Sequence, residues 1–329
     1  MGLIQKLNDA MVEQSLARST MQGYRFWNRK FYGYTKKPAS AWLGTDIKAF
    51  LLWLYDENYS PVSRKQALNA LAFTFKHVLK ADMGKLDLPP MPKVTQTNRI
   101  LPTPDDLNRI FALMNGMPKT MAQLMAGSGL RVAECCKLRV QDVDIEARSI
   151  RVWFGKNDKC RRTIIADSII PELQRHLALR KALHDRDLAD GRGLVVLPGR
   201  LANKYKAANR EFRQQWFFPS TKFRGQYRWH AVPECVGKPM RRALKAAGIL
   251  KHLTPHCLRH FFITYSQRAG NDLKTVMDWA GHQNPETTMI YTHPDAANGI
   301  SPMDCQVVRP IITISPPLAK RIEFTEKQF

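Results

Sequence analysis

Several short stretches of this chain carry side chains suited to gripping an anion. In TPHCLRHFF, Thr254 and Pro255 open a helix, and His256, Arg259 and His260 follow at i, i+3 and i+4, sharing one face. In GSGLRVAE, Arg131 stands at a helix start just after two glycines. A backbone turn, a helix N-terminus and a guanidinium together suit a phosphate-like group. In VWFGKNDK, Lys156 occupies the tip of a β-hairpin, where a side chain has room to reach a ligand. In GHQNPETTMIYTH, His282 and His293 stand on either side of Tyr291. Each feature also has a plainer reading: a surface stripe, a solvated arginine, a hairpin lysine turned to water. Zinc is a second reading of HCLRH, because Cys257 adjoins His256. On a helix, however, Cys257 points about 100° away from His256, and no second ligand pair has proper spacing.

The elements that must position these residues divide the chain in two. Residues 1–88 read as helices, with apolar residues at helical spacing in SLARSTMQGYRFWNRKFYGYT, TDIKAFLLWLYDE and SPVSRKQALNALAFTFKHVLKA. Thr45-Asp46 offers cap chemistry for the second of these, and Ser60-Pro61 opens the third. Residues 89–101 are proline-rich and aperiodic, which predicts a linker. A second domain over 102–300 begins at Thr103-Pro104-Asp105-Asp106, with helices predicted at about 104–115, 118–127 and 131–139. SIRVWFGKNDKCRRTIIA alternates, turns at 155–158 and returns, as a hairpin does. A helix is predicted at about 167–185. A basic, aromatic and less regular region covers 200–235. Helices at 236–247, 255–269 and 272–280 follow, with a short one over Tyr291. Residues 301–329 form a tail without a clear element. The fold class expected is mainly α with a small β-sheet (α+β).

The bulk numbers narrow the partner. Of 329 residues, 51 are Lys or Arg and 28 Asp or Glu, a net charge of +23, and 44% are hydrophobic. That composition builds cores and favours a polyanionic partner. The charge is spread through the chain: residues 1–100 hold 15 basic and 7 acidic side chains, and residues 191–240 hold 10 and 2. Such a distribution suits wrapping of a nucleic-acid duplex better than membrane docking by one polybasic arm. No apolar run reaches the roughly 18 residues of a membrane span. The N-terminus lacks a signal-peptide core, and the six cysteines show no CxxC spacing. A cytoplasmic protein with reduced thiols is expected.

Together GSGLRVAE, the hairpin lysine, HCLRH, AGH and Tyr291 resemble, in order and spacing, the tyrosine recombinases, or phage-type integrases. RSTMQGY is similar to that family's core-binding domain. The resemblance implies a two-domain, C-shaped DNA clamp with a helical, SAM-like core-binding domain and a recombinase catalytic domain. It implies that Tyr291 attacks a DNA phosphate to form a 3′-phosphotyrosyl intermediate, while Arg131 and Arg259 neutralise the phosphate. His256 would be the base for the phenol, and Lys156 would protonate the departing 5′-oxygen, with Lys159 as the alternative lysine. His282 would hydrogen-bond the phosphate and orient the tyrosine. Glu134 would orient the basic groups, and His260 would give structural support. His293 receives no role. No metal or other cofactor is implied, because the covalent bond stores the energy of the one broken. Four protomers would meet in a synapse on DNA.

Within the family, LANKYKAANREFRQQWFFPSTKFRGQYRWHAVPECVGKPMRRALKAAGI, residues 201–249, resembles the insertion region of integron integrases, with the insertion itself at about 195–236. Those enzymes integrate or excise gene cassettes and use the insertion to hold folded single-stranded cassette sites. IRVWFGK, including Trp153, is similar to them as well. Unpaired bases stack on aromatic rings for roughly 1–3 kcal/mol each, and Trp153, Trp216, Trp229 and His230 stand among basic residues. Burial in a core is the alternative for Trp216, within FRQQWFFP, and for Trp153, which alternates with apolar strand neighbours. The chain departs from the pattern at Trp229-His230, where integron integrases have two histidines. It departs again at the GKNDKC tip, where a glycine-richer loop is usual, and at the bulky residues after His260. The rivals are a Xer-like or phage-type recombinase acting on duplex sites, and an inactive DNA-binding relative.

Overall fold

The computed structural model describes residues 2–84, 100–153, 160–197 and 207–281. The chain divides into two compact units, Met1–Arg99 and Ile100–Phe329. The hairpin lysines Lys156 and Lys159, together with His282, Tyr291, His293 and the 301–329 tail, lie outside the described residues. So does most of the stretch expected as a linker. Among the described residues no helix is long and apolar enough to cross a membrane.

The first unit is built from α1 (Leu3–Glu13), α2 (Arg18–Thr35), α3 (Gly44–Asp56) and α4 (Pro61–Thr74), the last running into one π turn, Phe75–Leu79. Their apolar stripes meet in a core that includes Trp27, Phe31, Ile47, Phe50, Leu71 and Phe75. Phe31 meets Trp42 and Phe50 edge-on, at 4.7 and 5.2 Å between ring centres, the arrangement that aromatic quadrupoles favour. Inside this core, buried Asn28 crosses from α2 to α4. Its Nδ2 donates to the Tyr24 carbonyl at 2.9 Å, and its Oδ1 accepts from Thr74 Oγ1 at 2.8 Å, so its polar atoms are satisfied. Ser60 caps α4 as expected, its Oγ accepting from Ser63 N–H at 3.2 Å. α3 begins earlier than its Thr45-Asp46 pair suggests. Leu43 is the cap residue, and its N–H donates to Asp46 Oδ2 at 3.0 Å.

In the second unit, α5 (Pro104–Ala112), α6 (Gly116–Ser128) and the short α7 (Val132–Cys136) lead into an antiparallel sheet. The sheet runs β1 (Val143–Asp144), β2 (Ser149–Trp153) and β3 (Cys160–Ile164), in that order. β2 pairs with β3 from Ser149↔Ile164 to Trp153↔Cys160, the hairpin that the alternation predicts. α8 (Ile170–Ala189) follows, then β4 (Pro219–Arg224), β5 (Tyr227–His230), α9 (Glu234–Ala246), α10 (Pro255–Arg268) and α11 (Leu273–Ala280). The core joins α5, α6, α7, α9 and α10 to one face of the sheet through Leu107, Met121, Leu124, Ile150, Val152 and Leu258. Thr103 and Asp106 form a reciprocal cap at α5, with Thr103 N–H on Asp106 Oδ2 at 2.8 Å and Asp106 N–H on Thr103 Oγ1 at 3.1 Å. Two expectations change. α7 stops at Cys136 rather than 139, and the region read as irregular holds a second hairpin, β4–β5.

Candidate active site

The site is organised by the loop between α6 and α7. α6 ends on Gly129 in the left-handed conformation, φ +67°, and a Cβ there would lie 2.4 Å from Phe262 Cδ1 on α10. Only glycine fits both the torsion and the space. The turn then presents its carbonyls to other elements. Thr163 Oγ1 of β3 donates to the Ser128 carbonyl at 2.6 Å, and Arg259 Nη1 of α10 donates to the Gly129 carbonyl at 2.6 Å. Arg131 follows as the cap residue of α7, its backbone extended at φ −70° and ψ 147°. The GSGLR sequence thus fixes where a guanidinium starts, at a helix N-terminus.

Around this loop, basic side chains are tied together by one carboxylate. Glu134 accepts from the Arg131 N–H at 2.8 Å and from Arg131 Nη1 at 2.9 Å. It also accepts two bonds from Arg161 on β3, Nη1 to Oε1 at 3.0 Å and Nη2 to Oε2 at 2.7 Å. Burial pushes the Glu134 carboxyl up. The hydrogen bonds and charge of Arg161, then the N–H and charge of Arg131, more than reverse that and hold it below its ordinary value. Glu134 is therefore ionised, which leaves the outer part of Arg131, half-exposed, as a held cation. Arg259 is 3% exposed. Besides Gly129 it reaches the Ala280 carbonyl at the end of α11, through Nη2 at 2.5 Å. Arg161 Nε donates to the adjoining Trp279 carbonyl at 2.8 Å. The structure therefore brings Arg131, Glu134, Arg259 and the end of α11 together. The chain leaves α11 through Gly281, again left-handed at φ +67°, directly before His282.

α10 opens as expected at Thr254 and Pro255. His256 on its first turn is exposed and His260 half-buried, with ring centres 6.4 Å apart and nearly parallel. Arg259 lies between them in sequence and is directed inward, so the shared face carries an outer imidazole and an inner guanidinium. Cys257, the neighbour that raised zinc, has its Sγ 3.4 Å from the Thr254 N–H, which donates to it at the helix start.

The region of the expected insertion folds against the same framework. The Phe217 N–H donates to the Leu138 carbonyl at 2.7 Å, and the Val140 N–H to the Gln215 carbonyl at 2.9 Å. These bonds join it to the segment just after α7. Trp216 is a correction to the stacking expectation. It is 9% exposed and clusters with Val195, Leu197 and Ala208, and the Arg139 guanidinium lies over its ring at 4.2 Å. Trp153 turns the other way. It is 56% exposed rather than core, and its Nε1–H donates to buried Asp142 at 2.9 Å. Burial raises the Asp142 carboxyl above its ordinary value, against the opposing bonds from the Arg139 N–H and Trp153. Trp229 and His230 are half-buried on β5, with ring centres 5.4 Å apart and tilted by 30°. The Arg224 guanidinium lies 4.9 Å from the Trp229 ring centre. A buried ion pair anchors this hairpin: Arg228 Nε donates to Asp187 Oδ2 of α8 at 2.8 Å and Nη2 to Asp187 Oδ1, while Nη1 reaches the Ser220 carbonyl at 3.0 Å.

Arg161 is the participant that motif reading passes over. The signal available was the alternation of CRRTI, which places Arg161 and Thr163 on the buried side of β3. Comparison with known proteins agrees with this architecture. Residues 102–298 match the family described as "Phage integrase family", and residues 3–85 match "Phage integrase, N-terminal SAM-like domain". An "Integrase/recombinase" of Escherichia coli is 36% identical over 296 residues, 87% of this chain and 88% of that protein. "Tyrosine recombinase XerA" of Pyrococcus horikoshii is 27% identical over 278 residues, 84% of this chain and 83% of that protein. The Tn1549 transposon integrase, solved in complex with a circular intermediate DNA, covers 91% of this chain and 97% of its own at TM-score 0.62. At 17% identity it shows a shared fold. A chain matched over both its units, with this arginine-centred site, belongs to the phage integrase family and is a tyrosine recombinase.

Proposed function

We propose that this recombinase cuts and rejoins DNA through Tyr291, and that it is of the integron integrase type, moving gene cassettes and accepting folded single-stranded sites. The observation that supports the chemistry is the convergence of Arg131, Arg259 and Glu134 at the α6–α7 loop beside the end of α11. A phosphodiester resists nucleophiles because its non-bridging oxygens are anionic. Two held guanidiniums offset that charge, most of all as the pentavalent phosphorus forms. In this reading the Tyr291 phenol gives its proton to His256 as its oxygen bonds to phosphorus, and the 5′-oxygen leaves with a proton from Lys156, or from Lys159. The resulting phosphotyrosyl bond is attacked by a new 5′-hydroxyl, so the strand is resealed without another energy source. His282 hydrogen-bonds the phosphate and His260 supports the helix. Four protomers assemble on two sites.

The integron assignment rests on the hairpin β4–β5 and on Trp153. Trp229 and His230 stand half-exposed on a hairpin anchored by a buried ion pair, and Trp153 is exposed on β2 with its indole N–H fixed. Such pre-set rings favour stacking with unpaired bases, because little rotamer freedom is lost on binding. Trp216 supports this surface from inside. The relatives named as Xer recombinases favour the second reading, an enzyme of duplex sites.

One assay separates these. Wild type and Tyr291→Phe are mixed with a labelled, folded single strand from a cassette site, and with a duplex control, and denaturation-resistant adducts are scored. The expected result is an adduct with wild type only, stronger on the folded strand. Adducts on duplex alone transfer the chain to the second reading. An adduct that persists in Tyr291→Phe removes Tyr291 as the nucleophile.

A further inference from the structure

We propose that Arg161 is a positioning residue of the recombination reaction, one that sets the end of α11, and so the start of the segment carrying His282 and Tyr291, against the Arg131–Glu134 pair. The inference rests on the reading of Tyr291 and Arg131 given above. Three N–H groups of the Arg161 guanidinium are committed in two directions. Two bind Glu134 in a parallel fork at 3.0 and 2.7 Å, and Nε binds the Trp279 carbonyl at 2.8 Å. The last carbonyls of a helix have no partner within it. In α11 two consecutive ones are taken by guanidiniums from different elements, Trp279 by Arg161 of β3 and Ala280 by Arg259 of α10. The cations also lie at the negative end of the helix dipole.

The consequence is a geometric chain with few free torsions. Arg131 is fixed to Glu134 by two bonds, Glu134 to Arg161 by two more, and Arg161 to the last turn of α11. Gly281 then turns the chain out of the helix, its N–H closing on the Met277 carbonyl at 2.7 Å. A phosphate held by Arg131 and a nucleophile carried ten positions beyond Gly281 are thus referred to one side chain. At 8% exposure on an inward strand position, Arg161 acts through these partners. A lysine cannot replace it: an ammonium is a point charge and cannot hold a carboxylate fork and a carbonyl in a second direction at once.

The test compares the full-length wild type with Arg161→Lys and with Glu134→Gln, the second weakening the same fork from its other side. Amide hydrogen exchange is read by mass spectrometry. Exchange over residues 273–281 should quicken by about tenfold or more in Arg161→Lys and less in Glu134→Gln, while α5 and α8 change by less than about twofold. On DNA that gives adducts with wild type, adduct formation per bound molecule should slow by about 10- to 100-fold, with affinity within about twofold. Unchanged exchange at the end of α11 overturns the proposal. So does quickening spread evenly over the second unit, or an adduct rate that falls only with the folded fraction; either would make Arg161 a general staple. Absence of any wild-type adduct on folded strand and duplex counts against the recombination chemistry itself, and the exchange comparison still decides the role of Arg161.

Discussion

At the scale of single residues, Glu134 is the point on which the site depends. Its side chain accepts from two guanidiniums, and one of them, Arg161, is buried. Removing the carboxylate takes two charge-assisted hydrogen bonds from that buried guanidinium, and breaking a buried pair in this way costs about 3–5 kcal/mol. Urea unfolding of Glu134→Ala should show a loss toward the lower end of that range, since Glu134 itself retains some exposure. The pH dependence has a definite sign. The folded carboxyl titrates below its ordinary value of 4.5, so its stabilisation is complete above that value and is lost as the pH falls through the lower, folded one. Glu134→Gln should therefore flatten the acid limb of a melting-temperature profile below about pH 4.5 and leave its shape at neutral pH unchanged. Arg131 and Arg259 were legible as cations at a helix start and on a helix face, and Glu134 through the resemblance of GSGLRVAE to the family's motif. Arg161 was not. Its partners stand 27 and 118 positions away, and such pairings follow from the docking of β3 and α11 rather than from local pattern.

At the scale of elements, two joints carry the geometry. The first is the α6–α7 turn. Gly129→Ala puts a Cβ into the Phe262 ring at a left-handed torsion, and the strain and overpacking together should cost about 2–4 kcal/mol in denaturant titrations. Because the Gly129 carbonyl also holds Arg259, adduct formation should fall further than the folded fraction does. The second joint is the anchored hairpin. Asp187→Ala strands Arg228 in the core and should cost about 3 kcal/mol by the same measurement, with a selective loss of affinity for folded single strands over duplex. Equal loss for both DNAs would mean that β4–β5 has no part in recognising the folded form. The first hairpin was readable from its alternation, whereas this one was not. TKFRGQYRWH joins its strands through a two-residue turn whose Gly225, φ +60°, is the single conventional turn signal. Its inward residue, Arg228, is a cation where a pattern reader expects an apolar side chain. Trp153, which its apolar strand neighbours left open between core and stacking, lies on the exposed side of β2, opposite to buried Val152, with its indole N–H on Asp142.

At the scale of the whole molecule, the mainly helical class followed from helical periodicity and caps, and the polyanionic partner from a charge of +23. That charge makes a quantitative demand. Each phosphate neutralised by a lysine or arginine releases condensed counterions, so the logarithm of the affinity falls with the logarithm of salt concentration by about 0.9 per contact on duplex DNA and about 0.7 on single strands. Arg29 is a discriminating place to test it. It is exposed on α2 beside Gln22, Arg25, Phe26 and Lys30. Its two basic neighbours already have interactions within the unit. Arg25 donates to Asn8 at 2.6 Å, and the Lys30 ammonium lies 5.3 Å from the Trp53 ring centre. If this face meets the DNA backbone, Arg29→Ala should reduce the duplex salt slope by about 0.9 and weaken all duplex sequences alike, with adduct chemistry per bound molecule intact. A sequence-dependent loss would instead place Arg29 on base edges. An unchanged slope would take this face of α2 out of the DNA interface and leave the charge elsewhere in the chain to account for binding.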